Sequence, residues 1–207
     1  MPRAARGLAA LLLALPLAAI AAAPAPPTGE TWLAGDLIFR EGTALVSEAV
    51  RGVDPGGYSH VGLLDGAPGD WRVLHAEPAE TPGDPDGVRE DPLAFFLAPQ
   101  RARAWAVYRV EPADPAQRAA AIAAIRARLG EPFRLAPGPG EPGTYCTVLI
   151  TEAYAAAGVK IGARSRHLGL PLIAGEYLLP SGLREAPTMR RVEASTVSPH
   201  EGRRAPR

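Results

Sequence analysis

The sequence predicts an α+β domain, in which a small antiparallel sheet is covered by helices. Short apolar runs bounded by Gly, Pro and Asp turns are typical of strands. Consecutive strands that are joined by such short turns favour antiparallel pairing. Two later segments, 114–129 and 146–157, carry apolar residues at helical spacing. Helices packed on an antiparallel sheet define the α+β class.

The first 23 residues are typical of a secretory signal peptide. Arg3 and Arg6 give a positive start, and Leu8–Ile20 is an apolar run followed by small residues. The run is short for a bilayer crossing and contains Pro16, so an export signal is favoured over an uncleaved membrane anchor. We therefore expect an exported protein, periplasmic or extracellular, without an integral membrane span after cleavage.

The remaining chain is predicted to comprise a linker, a domain and a tail. Residues 24–31 form an extended linker, and 32–183 fit one domain of ordinary size. Residues 184–207 are basic and poor in apolar residues, which favours a disordered tail. Lys plus Arg and Asp plus Glu both number 22, so nothing indicates nucleic acid as a partner. The sequence indicates no cofactor and leaves the oligomeric state open.

Strands and helices are expected in a mixed order along the chain. Runs of branched apolar and aromatic residues between turn residues predict strands at 60–64, 71–76 and 104–110. In the first element, 32–39, Gly35-Asp36 is expected to turn into a strand at 37–39. One helix is marked by Asp114-Pro115 at its start and by Gly130 after its end. We expect helices at 43–50, 91–96, 114–129 and 146–157, and an exposed loop at 78–91.

Cys146 is the only cysteine, and its position favours a reactive thiol. A Gly/Pro-rich loop, 135–143, precedes it, and a helical pattern follows it. The sulfur is therefore expected in the first helical turn, where unpaired N–H groups favour an anion and lower the thiol pKa. A single cysteine in an exported protein indicates a reactive group or intermolecular pairing. The alternative is a buried structural cysteine, which behaves as a small hydrophobic residue.

Two histidines on the predicted hairpin are candidate partners of this thiol. With a turn centred near 66–68, His60 faces His75, so the second imidazole would orient the first and fix its tautomer. His60 would then take the thiol proton, or hold the thiolate as an ion pair, while Cys146 attacks an acyl carbonyl. The backbone N–H of Cys146 would stabilise the oxyanion. A zinc site formed by these three residues is the metal alternative, but their spacing matches no close-packed ligand motif.

Four motifs follow one another along the chain. They are Gly35-Asp36-Leu37-Ile38-Phe39, Tyr58-Ser59-His60-Val61-Gly62, Val73-Leu74-His75-Ala76 and Tyr145-Cys146-Thr147. Together they resemble the permuted papain-like amidases of the YaeF/YiiX group, relatives of NlpC-type cell-wall peptidases and of lecithin:retinol acyltransferase. The resemblance implies a circularly permuted papain-like fold over 32–183. It also implies Cys146 as nucleophile, His60 as general base and His75 as the third polar residue, with Glu77 as the alternative third residue.

The resemblance implies an exported cysteine hydrolase of the amidase or peptidase type that works through an acyl-enzyme. Candidate substrates are peptidoglycan stem peptides and acyl lipids. The family's acidic residue after the nucleophile and its aspartate in the preceding motif are replaced here by Val148 and Arg134. These replacements affect the expected substrate contacts more than the catalytic residues. Alternatives are an acyltransferase or lipid (thio)esterase of the same fold, and a non-catalytic envelope binding module. Residues 169–183 are apolar enough to line an acyl groove, although a core strand is favoured there.

Overall fold

The computed structural model describes residues 27–54, 56–79, 83, 85–136, 141–170 and 173–196. The strands are β1 (Leu37–Gly42), β2 (His60–Ala67), β3 (Asp70–Glu77), β4 (Gly87–Pro92), β5 (Ala102–Val110), β6 (Arg166–Leu170), β7 (Ile173–Tyr177) and β8 (Met189–Thr196). The helices are α1 (Leu45–Val53), α2 (Leu93–Phe96), α3 (Pro115–Arg126), α4 (Cys146–Ala156) and α5 (Pro180–Arg184). The predicted signal peptide lies outside the described residues.

Six strands form one antiparallel sheet in the order β4-β3-β2-β1-β5-β8, and β6 pairs with β7 in a separate hairpin. The α+β class predicted from the sequence is confirmed. Alternation along β1 gives the sheet two apolar faces. Leu37 and Phe39 pack with α3 and α4, whereas Ile38 packs with α2 and three tryptophans on the opposite face.

The predicted β2–β3 hairpin is present, but its predicted register was wrong. Leu63 pairs with Leu74, and Ala67 pairs with Asp70 across a two-residue turn. This register places His75 across from Gly62 rather than His60. The offset arises because the strands continue to the Pro68-Gly69 dipeptide, and Gly69 has φ +90°, so the turn centre lies beyond the expected position.

Two segments that were expected to lack regular structure are strands. Residues 78–91 were predicted to form a loop, yet β4 lies within this stretch and pairs with β3. Residues 184–207 were predicted to be a disordered tail, yet β8 pairs with β5; 197–207 lie outside the described residues. Both strands lie at the edges of the sheet and are rich in charged residues. Such edge strands lack the apolar alternation by which a strand is recognised.

The predicted helix positions agree with the structure to within a few residues. The helix expected at 114–129 is α3, which begins with a capping box between Asp114 and Gln117. The helix expected at 43–50 is α1, and Cys146 is the first residue of α4. Of the helices in the described part of the chain, none is long and apolar enough to cross a membrane.

Candidate active site

The nucleophile candidate, Cys146, lies at the N-terminus of α4 and is only 8% exposed. The chain before it is fixed by two backbone hydrogen bonds: Thr144 N–H donates to the Pro132 carbonyl, and Arg134 N–H donates to the Thr144 carbonyl. The helix then packs on β2 and β3. The predicted place of the sulfur, in the first turn of a helix, agrees with the structure.

The thiol is neutral at physiological pH. Burial raises the pKa of Cys146 to about 11, although backbone hydrogen bonds from Val61 and Thr147 to the sulfur act in the opposite direction. The sequence-based expectation of a lowered thiol pKa is therefore wrong. It considered the helix N-terminus alone, whereas loss of solvent around the sulfur is the larger effect.

Three side chains on neighbouring strands form a hydrogen-bonded chain. His60 Nε2 lies 2.9 Å from His75 Nδ1, and His75 Nε2 lies 3.0 Å from Asp91 Oδ2. Although His75 is not directly opposite His60, the imidazoles meet because position 62 is glycine. A Cβ atom at Gly62 would come within 3.2 Å of His75 Cβ. Phe96 packs against both rings and holds them in place.

This chain of hydrogen bonds fixes the tautomer of each imidazole. The Asp91 carboxylate is an acceptor, so His75 Nε2 carries a hydrogen and donates it. Neutral His75 then has a lone pair on Nδ1, so His60 must donate from Nε2. The remaining nitrogen of His60, Nδ1, therefore carries a lone pair. An imidazole in that state can accept the proton of a thiol.

Burial and nearby arginines keep both imidazoles neutral. Burial, with a further contribution from Arg40, holds the pKa of His60 well below its usual range. Burial also lowers the pKa of His75, against the opposing effect of Asp91. Burial would raise the pKa of Asp91, but hydrogen bonds from His75 and Arg89 hold it below its usual range. At neutral pH the site thus contains a thiol, two neutral imidazoles and a carboxylate.

Glu77, the alternative third residue, has different partners. Both of its oxygens accept hydrogen bonds from arginines: Oε1 from Arg40, and Oε2 from Arg89 and Arg101 at 2.8 and 2.7 Å. It lies 3.9 Å from His75 Nδ1, which is beyond hydrogen-bond distance. Asp91, rather than Glu77, thus bonds His75. Sequence reasoning missed Asp91, because its strand was expected to be a loop and Asp91-Pro92 resembles a helix start.

A cavity of about 140 Å³ adjoins the site, and Cys146 and His60 both line it. The Val61 backbone N–H donates to the Cys146 sulfur, and Val61 directly follows His60 in the sequence. Residues of α1, of the β6–β7 hairpin and of the segment leading into α5 form the other walls. The segment 169–183, for which a core strand was favoured, contains the strand β7, and its buried residues Tyr177, Leu178 and Leu179 also line this cavity.

A helix-borne thiol that packs against a histidine-bearing antiparallel sheet defines a papain-like architecture. The order of histidine before cysteine makes it a permuted one. Residues 31–173 match the family described as "Permuted papain-like amidase enzyme, YaeF/YiiX, C92 family", and the chain belongs to this family. The resemblance inferred from the four motifs is thereby confirmed, and the family supports a cysteine hydrolase of this fold.

One similar solved structure is described as the metalloprotein yiiX from Escherichia coli O157:H7. The two share 20% sequence identity with a TM-score of 0.64, and the alignment covers 79% of this chain and 97% of that one. At this identity the likeness establishes the fold alone. No curated protein sequence matches this chain significantly.

Proposed function

We propose that this protein is an exported cysteine hydrolase that cleaves an acyl bond, most readily an amide, through an acyl-enzyme on Cys146. The observation that carries the proposal is the hydrogen-bonded chain Asp91–His75–His60, which leaves a lone pair on Nδ1 of His60, a residue that lines the same cavity as Cys146. A neutral imidazole with a fixed tautomer is what general-base activation of a thiol requires.

The proposed reaction follows from these protonation states. Cys146 Sγ attacks the carbonyl carbon while His60 Nδ1 takes the thiol proton, and the backbone N–H of Cys146 stabilises the oxyanion. His60 then gives that proton to the leaving group, and the thioester remains on the sulfur. In the second half, His60 takes a proton from water as the water attacks the thioester carbonyl. The carbon–sulfur bond then breaks, the acid leaves, and His60 returns the proton to the Cys146 sulfur. The Asp91 charge, acting through His75, stabilises the imidazolium in both halves.

The test is acylation of the mature protein by p-nitrophenyl acetate, followed by intact mass spectrometry. We expect one acetyl group on Cys146, absent in Cys146→Ala and strongly reduced in His60→Gln. His167→Gln is the matched control, because His167 lies on the exposed β6–β7 hairpin and is paired with Glu176. Equal labelling of the wild type and Cys146→Ala would refute the proposal.

A non-catalytic binding module is the second candidate, and the buried thiol with its raised pKa favours it. Such a module requires neither a fixed His60 tautomer nor a carboxylate behind His75. It predicts that acyl donors leave the protein unmodified and that Cys146→Ala binds ligands as the wild type does. The acetylation experiment distinguishes the two candidates directly.

The E. coli relative's description raises the possibility of a metal ion. The potential metal-binding atoms of His60, His75 and Glu77 lie within 4.8 Å of one another. In this group Glu77 takes the place of Cys146, which was the third zinc ligand considered from the sequence. These residues do not fit a divalent cation, however. Both Glu77 oxygens are bound by guanidinium groups, whose positive charges repel a cation. We therefore expect acetylation of Cys146 to be unchanged after treatment with a chelator.

Export is supported by the sequence of the first 23 residues. Cell fractionation with N-terminal sequencing of the isolated protein tests it. A chain that starts near Pro24 in the periplasm or medium supports export, whereas an intact Met1 start in the cytoplasm would contradict it.

A further inference from the structure

Most side chains that line the cavity are apolar. Apart from the candidate catalytic residues Cys146 and His60, the described lining residues carry one charged side chain, Glu77, which is already paired with arginines. A peptide chain brings amide groups and charges that need partners when they leave water. An aliphatic chain has no such groups and needs no hydrogen-bonding or charged partner.

One wall of the cavity is the apolar face of α1. Val46, Ala49, Val50 and Val53 line it, at the spacing that places residues on a single helical face. Such a face normally packs into the protein core, but the buried residue of α1 is Ser47. The helix thus contacts β1 through the Ser47 side chain, which packs against Gly42, and its valines line the cavity.

Another wall of the cavity is hydrogen-bonded to the two residues that flank the nucleophile. Leu178 N–H donates to Tyr145 Oη at 3.0 Å, and Thr147 Oγ1 donates to the Leu178 carbonyl at 2.6 Å. Tyr145 and Thr147 flank Cys146 in the sequence. The segment carrying Leu178 and Leu179 is therefore held at a set position relative to the sulfur, so a chain attached to an acyl carbon on Cys146 would run along it.

The size of the cavity limits the length of that chain. At about 140 Å³, it is close to an apolar protein cavity of about 150 Å³ that holds one benzene molecule, which has six carbons. Beyond this volume the walls reach solvent at Val46 and Leu135, which are 38% and 41% exposed. Carbons past about the sixth would therefore extend into water and add little binding free energy.

We propose that the acyl group transferred to Cys146 is a linear aliphatic chain of about six carbons, held between the valine face of α1 and the Leu178–Leu179 segment. This inference rests on the proposed function and specifies its substrate class. It favours acyl compounds over peptidoglycan stem peptides at this site.

The experiment measures acylation of the full mature chain by p-nitrophenyl esters from acetyl to decanoyl, below the concentrations at which they aggregate. Each buried methylene is expected to raise kcat/KM about fourfold. The rise from acetyl to hexanoyl should then be on the order of 100-fold, with a plateau for longer chains. A flat profile from acetyl to hexanoyl, or an unbroken rise to decanoyl, would overturn the inference.

Two variants locate the effect. Val50→Phe fills the cavity and should remove the preference for hexanoyl over acetyl, and Val46→Phe at the mouth is the second variant in case the first does not fold. Leu45→Phe is the control, because Leu45 is 85% exposed on the same helix and does not line the cavity. An unchanged preference in both folded variants would contradict the proposed location. Acetylation of Cys146 without any dependence on chain length would refute this inference alone. Absence of acylation by every ester would refute the proposed function.

Discussion

The reactivity of the Cys146 thiol toward iodoacetamide tests the electrostatics of the site most directly. Because burial raises the pKa of this thiol to about 11, the thiolate fraction at pH 7 is roughly 0.01%, against roughly 3% for a free thiol with a pKa near 8.5. That difference is about 300-fold. A more basic thiolate is intrinsically more nucleophilic, which recovers about tenfold. We therefore expect alkylation at pH 7 to be about 30-fold slower than for a free cysteine.

The assay follows incorporation of iodoacetamide by mass spectrometry between pH 5 and pH 10. The rate should rise with pH over this whole range, because the thiol titrates above it. The same chain unfolded in urea supplies the free-thiol reference, since it contains one cysteine. His60→Gln keeps a side chain of similar size at position 60 and should leave the rate largely unchanged, because His60 is neutral in the resting site.

One result would refute this reasoning. If the rate were fast and independent of pH between pH 5 and pH 8, and fell in His60→Gln, the resting site would hold a thiolate–imidazolium pair. The neighbouring charges would then outweigh burial. The hydrogen-bonded chain behind His60 would still stand, but the proton would already reside on its nitrogen before substrate binds.

Three further predictions concern Asp91, the histidines and Glu77. Asp91→Asn removes the charge that, through His75, stabilises the imidazolium form of His60. We therefore expect kcat/KM for acylation to fall on the order of 100-fold, with partial recovery in Asp91→Glu. Wild-type rates in Asp91→Asn would exclude this role. His60 acts in its unprotonated form, and burial holds its pKa well below its usual range. The value of kcat/KM should therefore fall only as the pH drops below about 6.5. A midpoint at or above pH 7 in the pH–rate profile would contradict a lowered pKa. Glu77→Gln removes the carboxylate that pairs with the buried guanidinium of Arg40, so the free energy of unfolding measured in urea should drop by about 3 kcal/mol. Glu176→Gln on the exposed hairpin should change it little.

Much of the fold could be predicted because its signals are local. The turn at Pro68-Gly69 and the apolar runs around it predict the β2–β3 hairpin, and Asp114-Pro115 predicts the start of α3. The register depends on where a two-residue turn centres, which local composition does not specify to the residue. The charged strands β4 and β8 are formed by pairing to a neighbouring strand, so their sequences alone do not predict them.

The sequence named three of the residues that the structure brings together, but it missed Asp91 and predicted a lowered thiol pKa where burial raises it. His60, His75 and Cys146 could be named because imidazoles and a lone thiol are chemically conspicuous in a sequence. Asp91 is one of many acidic residues, and only the pairing of β4 with β3 brings it to His75. The pKa of the thiol depends on how completely α4 and its neighbours exclude solvent, which is a property of packing rather than of the helix start.

The protonation states also determine how the reaction must start. With the thiol pKa near 11 and that of His60 below about 6.5, moving the proton in the resting site costs about 6 kcal/mol before the attraction between the two new charges is counted. A separate proton transfer before attack is therefore unfavourable, and the proton should move as the carbon–sulfur bond forms. We expect acylation by p-nitrophenyl hexanoate to be slower in D₂O than in H₂O at matched positions on the pH profile. A preformed thiolate has no such proton to move, so equal rates in the two solvents would show that attack and proton transfer are not coupled.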